Sequence, residues 1–191
     1  MGVQDDAERV EPATLDEWSA WLASHHERRE GIWLVTFKGV TGRQQFPYEA
    51  GVIEALRWGW VDSTVRTVDD ERTMMWMAPR RRGSVWTRPN KERIERLEDE
   101  GRLEPAGRAA VEAAKASGMW TLLDSAADLV VPDDLAAALD QLPGAREQFD
   151  GFPPSARKAI LEWLLLAKRP ETRAKRVAEA AEKAANGERA R

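Results

Sequence analysis

The chain has 191 residues, a length typical of one domain and sufficient to bury a hydrophobic core without covalent cross-links. Hydrophobic residues make up 42% and charged residues 32% of the chain, which excludes an intrinsically disordered or collagen-like protein. No cysteine is present, and this excludes disulfides, thiolate metal sites and cysteine nucleophiles.

The first predicted elements are a helix, a strand and a second helix. Thr14, with Glu17 three residues later, forms a capping-box pattern that begins the first helix. The aromatic and β-branched run at residues 32–37 predicts a strand that is buried on both faces. After a loop, Pro47 predicts the start of a short helix that ends near Gly59.

Two strands and a series of helices follow. Residues 60–68 and 73–78 predict a hairpin, because Asp69 and Asp70 between them favour a turn. The later helices are predicted at residues 90–100, 105–117, 133–142, 155–169 and 170–185. We therefore predict an α+β fold, in which a small amino-terminal mixed or antiparallel sheet with flanking helices is followed by an all-helical carboxy-terminal half packed against it.

This fold is expected to form a single domain over residues 1–191. Its sheet-containing half covers about residues 14–88 and its helical half about residues 89–187, and we expect both termini to be frayed. The chain has nine tryptophans, and we expect most of them to fill the core between the sheet and the helices.

Several short motifs occur in a fixed order along the chain. They are residues 55–62 (ALRWGWVD), Pro79-Arg80, residues 84–87 (SVWT) with Asn90, Ala106-Gly107, residues 118–120 (GMW), residues 131–135 (VPDDL), residues 145–149, and residues 167–173 (AKRPETR) with Lys175 and Arg176. From about Trp18 to the end of the chain, this order resembles the YdeI/OmpD-associated (bacteriocin-protection) family. Arg57 departs from the family pattern, in which a small or thiol residue tends to precede the aromatic–Gly–Trp step.

The resemblance implies a bacterial protein that protects against bacteriocins or antimicrobial peptides and is associated with an outer-membrane porin. The amino-terminal sequence lacks the basic start and apolar stretch of a signal peptide, so we expect a cytoplasmic protein. A cytoplasmic location argues against the porin as a partner. The apolar stretches are far shorter than the roughly 20 residues that cross a bilayer, so no membrane span is predicted.

The first candidate site is a basic segment at residues 79–96, which carries seven bases and two acids. Arginine forks and the free N–H groups at the start of a helix are suited to binding phosphate or carboxylate. The candidate ligand-binding residues here are Arg80, Ser84, Trp86, Arg88 and Asn90, with Trp86 expected at a surface or at the edge of a cleft. In the alternative interpretation, Arg80 pairs with Asp62, and Ser84 or Asn90 caps the helix.

The second candidate site lies near the join of the last two helices. Residues 151–191 carry ten bases and five acids, and the candidate ligand-binding residues are Lys168, Thr172, Arg173 and Arg176. The two basic segments could converge in the folded chain. Alternatively, the charges of the last helix pair with one another at helical spacing on a solvated face, as Glu171 with Lys175 and Arg176 with Glu179.

Asp62 is the one candidate catalytic residue, because it is a carboxylate among apolar neighbours and could act as a general base with Arg80 stabilising charge. His25 and His26, the only histidines, are adjacent and therefore diverge around a helix, so no metal site is predicted. No nucleotide-binding or hydrolase motif is present, and no cofactor is predicted.

Three functions remain open from the sequence. Our first hypothesis is a non-enzymatic cytosolic protein that binds an anionic small molecule or peptide group. The alternatives are an enzyme that uses Asp62 and Arg80, and a weak nucleic-acid binder that uses residues 80–96 with Trp86 stacking on a base. The net charge of −4 and the acidic segment at residues 97–150 argue against nucleic acid. The oligomeric state is left open.

Overall fold

The computed structural model describes residues 4–191, which divide into two compact units. We call residues 4–84 with 89–120 the sheet unit, and residues 85–88 with 121–191 the helical unit. The predicted α+β class is confirmed, since a four-stranded mixed sheet lies in the first half of the chain and helices dominate the second half. The single domain stays a prediction.

The sheet unit contains strands β1 (Arg9–Val10), β2 (Ile32–Phe37), β3 (Trp60–Thr67) and β4 (Arg72–Pro79), and helices α1 (Leu15–His25), α2 (Tyr48–Arg57), α3 (Arg88–Asp99) and α4 (Pro105–Ala116). The strand order is β1-β2-β4-β3, in which β1 is parallel to β2 and the other neighbouring pairs are antiparallel. The predicted hairpin is therefore confirmed, whereas β1 has too few residues to produce a pattern in the sequence.

Helix α1 begins as the capping-box pattern predicts. The Thr14 hydroxyl accepts a hydrogen bond from the Glu17 N–H at 3.2 Å, and the Glu17 carboxylate accepts one from the Ala13 N–H at 2.7 Å. Trp18 is fully buried, and its indole N–H donates to the Gly51 carbonyl of α2 at 3.1 Å. This hydrogen bond fixes α1 against α2.

Helix α4 approaches the end of α2 so closely that side chains are excluded at two glycines. A Cβ added to Gly107 would collide with the Arg57 carbonyl oxygen, and a Cβ on Gly59 would lie 3.0 Å from the Ala106 carbonyl oxygen. Gly59 also has a φ of +78°, which glycine adopts without strain. Both glycines belong to the motifs quoted above, and their role here is close packing.

The helical unit contains α5 (Asp124–Ala127), α6 (Asp133–Gln141), α7 (Ala145–Gly151), α8 (Pro154–Leu165) and α9 (Pro170–Ala185). Its core combines large residues such as Leu135, Phe149 and Leu164 with small residues of α9 such as Ala180 and Ala184. The narrow apolar stripe of α9 is sufficient because alanines allow α6 and α7 to approach closely. Helices α5 and α7 are short, and the sequence pattern does not reveal them.

The division between the units differs from the predicted halves of the chain. Helix α4 and the part of α3 from Pro89 onward belong to the sheet unit, although they were expected in the helical half. Among the helices formed by residues 4–191, none combines the length and apolar character that crossing a membrane requires.

Candidate functional site

One face of the sheet carries an open depression, which we call the sheet pocket. Its floor consists of Leu34 and Thr36 on β2, Thr73 and Met75 on β4, and Val65 on β3. The strand register explains this floor, because Leu34 lies opposite Met75 and Thr36 lies opposite Thr73. A β-bulge between Asp62 and Val65 brings Val65 opposite Met75, on the same face. The pocket has a volume of about 300 Å³.

The walls of the sheet pocket come from the end of β2 and from the loop that leads into α2. Phe46 is buried below α2 at a point where Gly51 has no side chain, since a Cβ there would lie 2.9 Å from the Phe46 ring. The Phe37 N–H donates to the Gln45 side chain at 3.0 Å, which ties the loop to β2. Gln44 and Tyr48 complete the walls.

Lys38 is the only residue charged at neutral pH among the described residues that line the sheet pocket. Its ammonium group donates to the carbonyl oxygens of Asp69 at 2.8 Å and Asp70 at 3.1 Å, in the turn between β3 and β4. An ammonium has three N–H donors, so one donor remains for another acceptor. The hairpin turn therefore holds a cation at the edge of an apolar depression.

Tyr48 lies at the opposite part of the rim, and its hydroxyl donates to the Asp62 carboxylate at 2.6 Å. Burial and this hydrogen bond to a carboxylate raise the pKa of Tyr48 to about 12. The phenol therefore stays neutral at physiological pH. Asp62, the candidate catalytic base, is thus engaged by Tyr48 as a hydrogen-bond acceptor.

Two arginines surround this tyrosine–carboxylate pair. Burial lowers the pKa of Arg80 to about 10, and the neighbouring Asp62 carboxylate opposes that shift. Arg93 donates to both oxygens of Glu49, at 2.8 and 2.6 Å, and to the Asn90 side-chain oxygen at 2.7 Å. Asp62 therefore lies near enough to Arg80 to affect its pKa, and the ion pair of the alternative interpretation stays a prediction. Asn90 is buried in its contact with Arg93.

The remaining predicted residues of the first basic segment do not form an exposed cluster. The expectation that Trp86 lies at a surface is wrong, since its side chain is buried. Arg88 forms an ion pair with Asp128 at 2.6 Å. Ser84 is half-buried, and its N–H donates to the Arg81 carbonyl in a turn at 2.9 Å. Because Trp86 is buried, its ring is not available for the base stacking expected of it in nucleic-acid binding through residues 80–96.

In the second basic segment, two of the four candidate residues form hydrogen bonds that connect helices of the helical unit. Arg173 donates to both oxygens of Asp134, at 2.6 and 2.9 Å, and to the Leu164 carbonyl at 3.2 Å. Arg176 donates to the Trp163 carbonyl and lies over the Trp163 ring, 5.1 Å from its centroid. Lys168 is exposed and Thr172 is half-buried.

Arg80 belongs to the sheet unit, whereas residues 168–176 belong to the helical unit. Their convergence stays a prediction, and so does each assignment of these residues to ligand binding. No group of three or more His, Asp or Glu side chains within residues 4–191 is arranged to hold a metal ion.

Sequence reasoning missed most residues of the sheet pocket, including Thr36, Lys38 and Tyr48. The signal that could have found them is the alternation Leu34-Thr36-Lys38, which turns from apolar to polar along one face of β2. The run at residues 32–37 was interpreted as buried on both faces. Only residues 32–35 are buried in this way, and the last two residues of β2 are half-buried.

The fold and the sheet pocket define an α+β protein with a small-molecule-sized depression on its sheet. Residues 10–110 match the model of a family described as a domain of unknown function (DUF8412), and because this match covers more than half of the chain, the chain belongs to that family. Residues 128–187 match the model described as bacteriocin-protection, YdeI or OmpD-associated, which confirms the resemblance in this carboxy-terminal segment. No curated protein and no solved structure matches the chain significantly.

Proposed function

We propose that this chain is a non-enzymatic binding protein whose ligand is a small molecule in the sheet pocket. The observation that carries the proposal is the pocket itself, with a volume of about 300 Å³, an apolar floor and a few polar groups. Ligand sites have this character, and their volumes begin at roughly 300 Å³. The pocket is therefore suited to a ligand smaller than a typical drug.

The nature of the polar groups favours binding over catalysis. Thr36, Thr73 and Gln44 supply hydroxyl and amide groups, which orient a ligand by hydrogen bonding. Tyr48 keeps its proton because its pKa is about 12, so it is a poor general base at neutral pH. Asp62 already accepts a hydrogen bond from Tyr48, and this contact gives it a structural role.

The anion site is proposed at the sheet pocket instead of at the two basic segments. Arg88, Arg173 and Arg176 are held by acids or carbonyl groups of their own chain, so they have less capacity for an added anion. Lys38 lines the pocket, and we propose that its ammonium group, rather than the Arg80 guanidinium, binds an anionic group of the ligand. We further propose that the protein acts in the cytoplasm and that the bacteriocin protection implied by the match at residues 128–187 depends on this binding.

The test is a binding screen with a matched pair of variants. Val65 is 58% exposed on the pocket floor, and Val130 is 56% exposed and does not line the pocket, so Val65→Trp and Val130→Trp place the same bulk at similar exposure. A library of small neutral, cationic and anionic compounds is screened by ligand-observed NMR.

We expect compounds that bind the wild-type protein and Val130→Trp but lose at least about tenfold in affinity for Val65→Trp, because tryptophan fills the pocket. The absence of any binder, or binders that Val65→Trp does not weaken, would show that the sheet pocket is not the ligand site. Circular dichroism of both variants establishes that the fold is retained.

A further inference from the structure

We infer that the ligand of the sheet pocket is a small apolar monocarboxylate, whose carboxylate is held at Lys38 and whose apolar body lies over Leu34 and Met75. This inference rests on the proposed function, because it names the ligand class of the same site.

The sheet pocket has a polar end and an apolar end. Thr36 and Thr73 lie opposite each other. Lys38 follows directly after the end of β2, and its backbone N–H donates to the Glu71 carbonyl at 2.8 Å. In the other direction along the strands, the floor is formed by Leu34 and Met75. A ligand with one polar head and one apolar body matches this arrangement.

The positive charge of Lys38 at the polar end of the pocket favours a ligand with an anionic head group. Lys38 forms its two hydrogen bonds with backbone carbonyls, and no carboxylate within residues 4–191 forms an ion pair with it. The acids of the hairpin turn that Lys38 contacts have other partners or face solvent. Asp69 accepts from Arg72 at 2.9 Å, and Glu71 pairs with Arg43 at 3.0 Å. Asp70 is exposed to solvent, which screens its charge.

The position of the Lys38 ammonium is also fixed before a ligand arrives. Two carbonyl acceptors, at 2.8 and 3.1 Å, restrict the rotamers of a side chain that otherwise loses much conformational freedom on binding. One N–H remains for the ligand, and the Thr36 and Thr73 hydroxyls are further side-chain donors on the same face of the sheet. One cation and a few neutral donors suit a carboxylate, whereas a phosphate dianion requires more charge.

The size of the pocket limits the apolar body. A volume of about 300 Å³ equals that of about ten liquid waters, so the ligand has on the order of ten non-hydrogen atoms. The body is bounded by the Phe46 ring, which suits either a short alkyl chain or a single aromatic ring.

The experiment uses three probes that share one apolar body: 3-phenylpropionate, 3-phenylpropionamide and 3-phenylpropylamine. Their dissociation constants are measured by NMR titration with the wild-type chain, Lys38→Met, Lys38→Arg and Val65→Trp. Lys175→Met is the matched control, because Lys175 is an exposed lysine that does not line the pocket. Comparing the three probes on the wild-type chain alone tests the inference without relying on the folding of a variant.

We expect the carboxylate to bind the wild-type chain at least about tenfold more tightly than the amide, since a hydrogen bond to a charged group is the stronger kind. Lys38→Met should remove this preference, Lys38→Arg should retain part of it, and Lys175→Met should leave it unchanged. If the amide and the amine bind as tightly as the carboxylate and only Val65→Trp weakens them, the ligand class is wrong while the proposed function stands. If neither these probes nor the wider library binds, both are overturned.

Discussion

The sheet unit contains a buried carboxylate in addition to its surface ion pairs, and this carboxylate has no buried charged counterpart among the described residues of the helical unit. In the sheet unit, the Glu54 carboxylate is buried and accepts hydrogen bonds from Ser19 at 2.7 Å, Arg57 at 2.8 Å and Arg102 at 3.2 Å. In the helical unit, ion pairs such as Arg173 with Asp134 lie near the surface. Solvent weakens the second kind of pair far more than the first.

Basic clusters in the sequence do not show which of their cations already have partners in the folded chain. Arg88 and Arg173 lie in the densest basic segments, yet each meets an acid of its own chain. Lys38 stands alone in the sequence, but its nearest partners are carbonyl oxygens beside an apolar depression. Whether a cation is available to a ligand therefore depends on its tertiary partners rather than on local charge density.

The largest expected effect tests the close packing of the sheet unit. Gly107→Ala adds a Cβ that collides with the Arg57 carbonyl oxygen, which the backbone of α2 holds in place. We expect this variant to lower the free energy of unfolding by about 1–3 kcal/mol, the usual cost of overpacking. Urea denaturation followed by circular dichroism measures the change.

The matched control lies in the helical unit. Gly151 is an exposed residue of α7, and a Cβ there meets no atom within 4 Å. Because alanine favours helix over glycine, Gly151→Ala should raise the free energy of unfolding by at most about 1 kcal/mol. Equal effects of the two substitutions would contradict the contrast in packing.

The motifs around Gly59 and Gly107 show how far the sequence predicts the fold. The sequence predicts the main strands and helices from periodicity and caps, because these signals are local. Gly59 packs against Ala106, which lies far from it in the chain. A contact between such distant residues leaves no local pattern, so the sequence indicates it only through the presence of both residues in one set of motifs. The short elements β1, α5 and α7 have too few residues to establish a period.

The second prediction removes the buried charge of the sheet unit. Glu54→Gln keeps the shape of the side chain but leaves Arg57 and Arg102 without their shared carboxylate. Because both arginines are partly exposed, we expect a loss of about 1–3 kcal/mol rather than the larger cost of a fully buried pair. Thermal unfolding of the variant measures this loss.

The comparison in the helical unit is Glu162→Gln, which removes the exposed Lys158–Glu162 pair at 3.7 Å. We expect a change below about 0.5 kcal/mol, as for other surface pairs. A similar loss in both variants would mean that burial of Glu54 contributes nothing to stability.

Arg57, the departure from the family pattern, also donates to Glu104, so this arginine belongs to a charge network that a small residue could not form.

The sheet pocket is not recognisable from the sequence alone. The alternation Leu34-Thr36-Lys38 cannot be distinguished from a solvated strand end in the sequence, because the loop before α2 forms the walls around it only in the folded chain. An ion pair of Asp62 with Arg80 is among the predicted alternatives, and the Asp62 carboxylate lies near enough to Arg80 to oppose the lowering of its pKa. The hydrogen bond from Tyr48 to Asp62 depends on how α2 packs against β3, which no local pattern encodes.

The third prediction concerns the ion pair between Arg173 and Asp134 near the surface of the helical unit. Hydrogen bonds from Arg173 lower the pKa of Asp134 in the folded chain, so the ion pair stabilises the fold above the unfolded aspartate pKa of about 3.9. Asp134→Asn should cost about 0–1 kcal/mol at neutral pH. The difference from the wild-type chain should vanish as the pH falls through the lowered pKa. A difference that persists there would show that the amide disrupts packing instead.

The smallest expected effect is a shift in one titration rather than a change in stability at neutral pH. Tyr48 is the only tyrosine in the chain, so the near-ultraviolet absorbance of phenolate reports on the sheet unit alone. We expect a midpoint of about 12 instead of 10, and a partial return toward 10 in Asp62→Asn, because burial remains when the carboxylate is removed. Since the folded-state pKa is raised, the neutral phenol stabilises the fold fully below pH 10, and this contribution is lost as the pH rises to about 12. A midpoint of 10 in a chain that circular dichroism shows to be folded would mean that Tyr48 is solvated and that the rim of the sheet pocket is more open than the hydrogen bond to Asp62 implies.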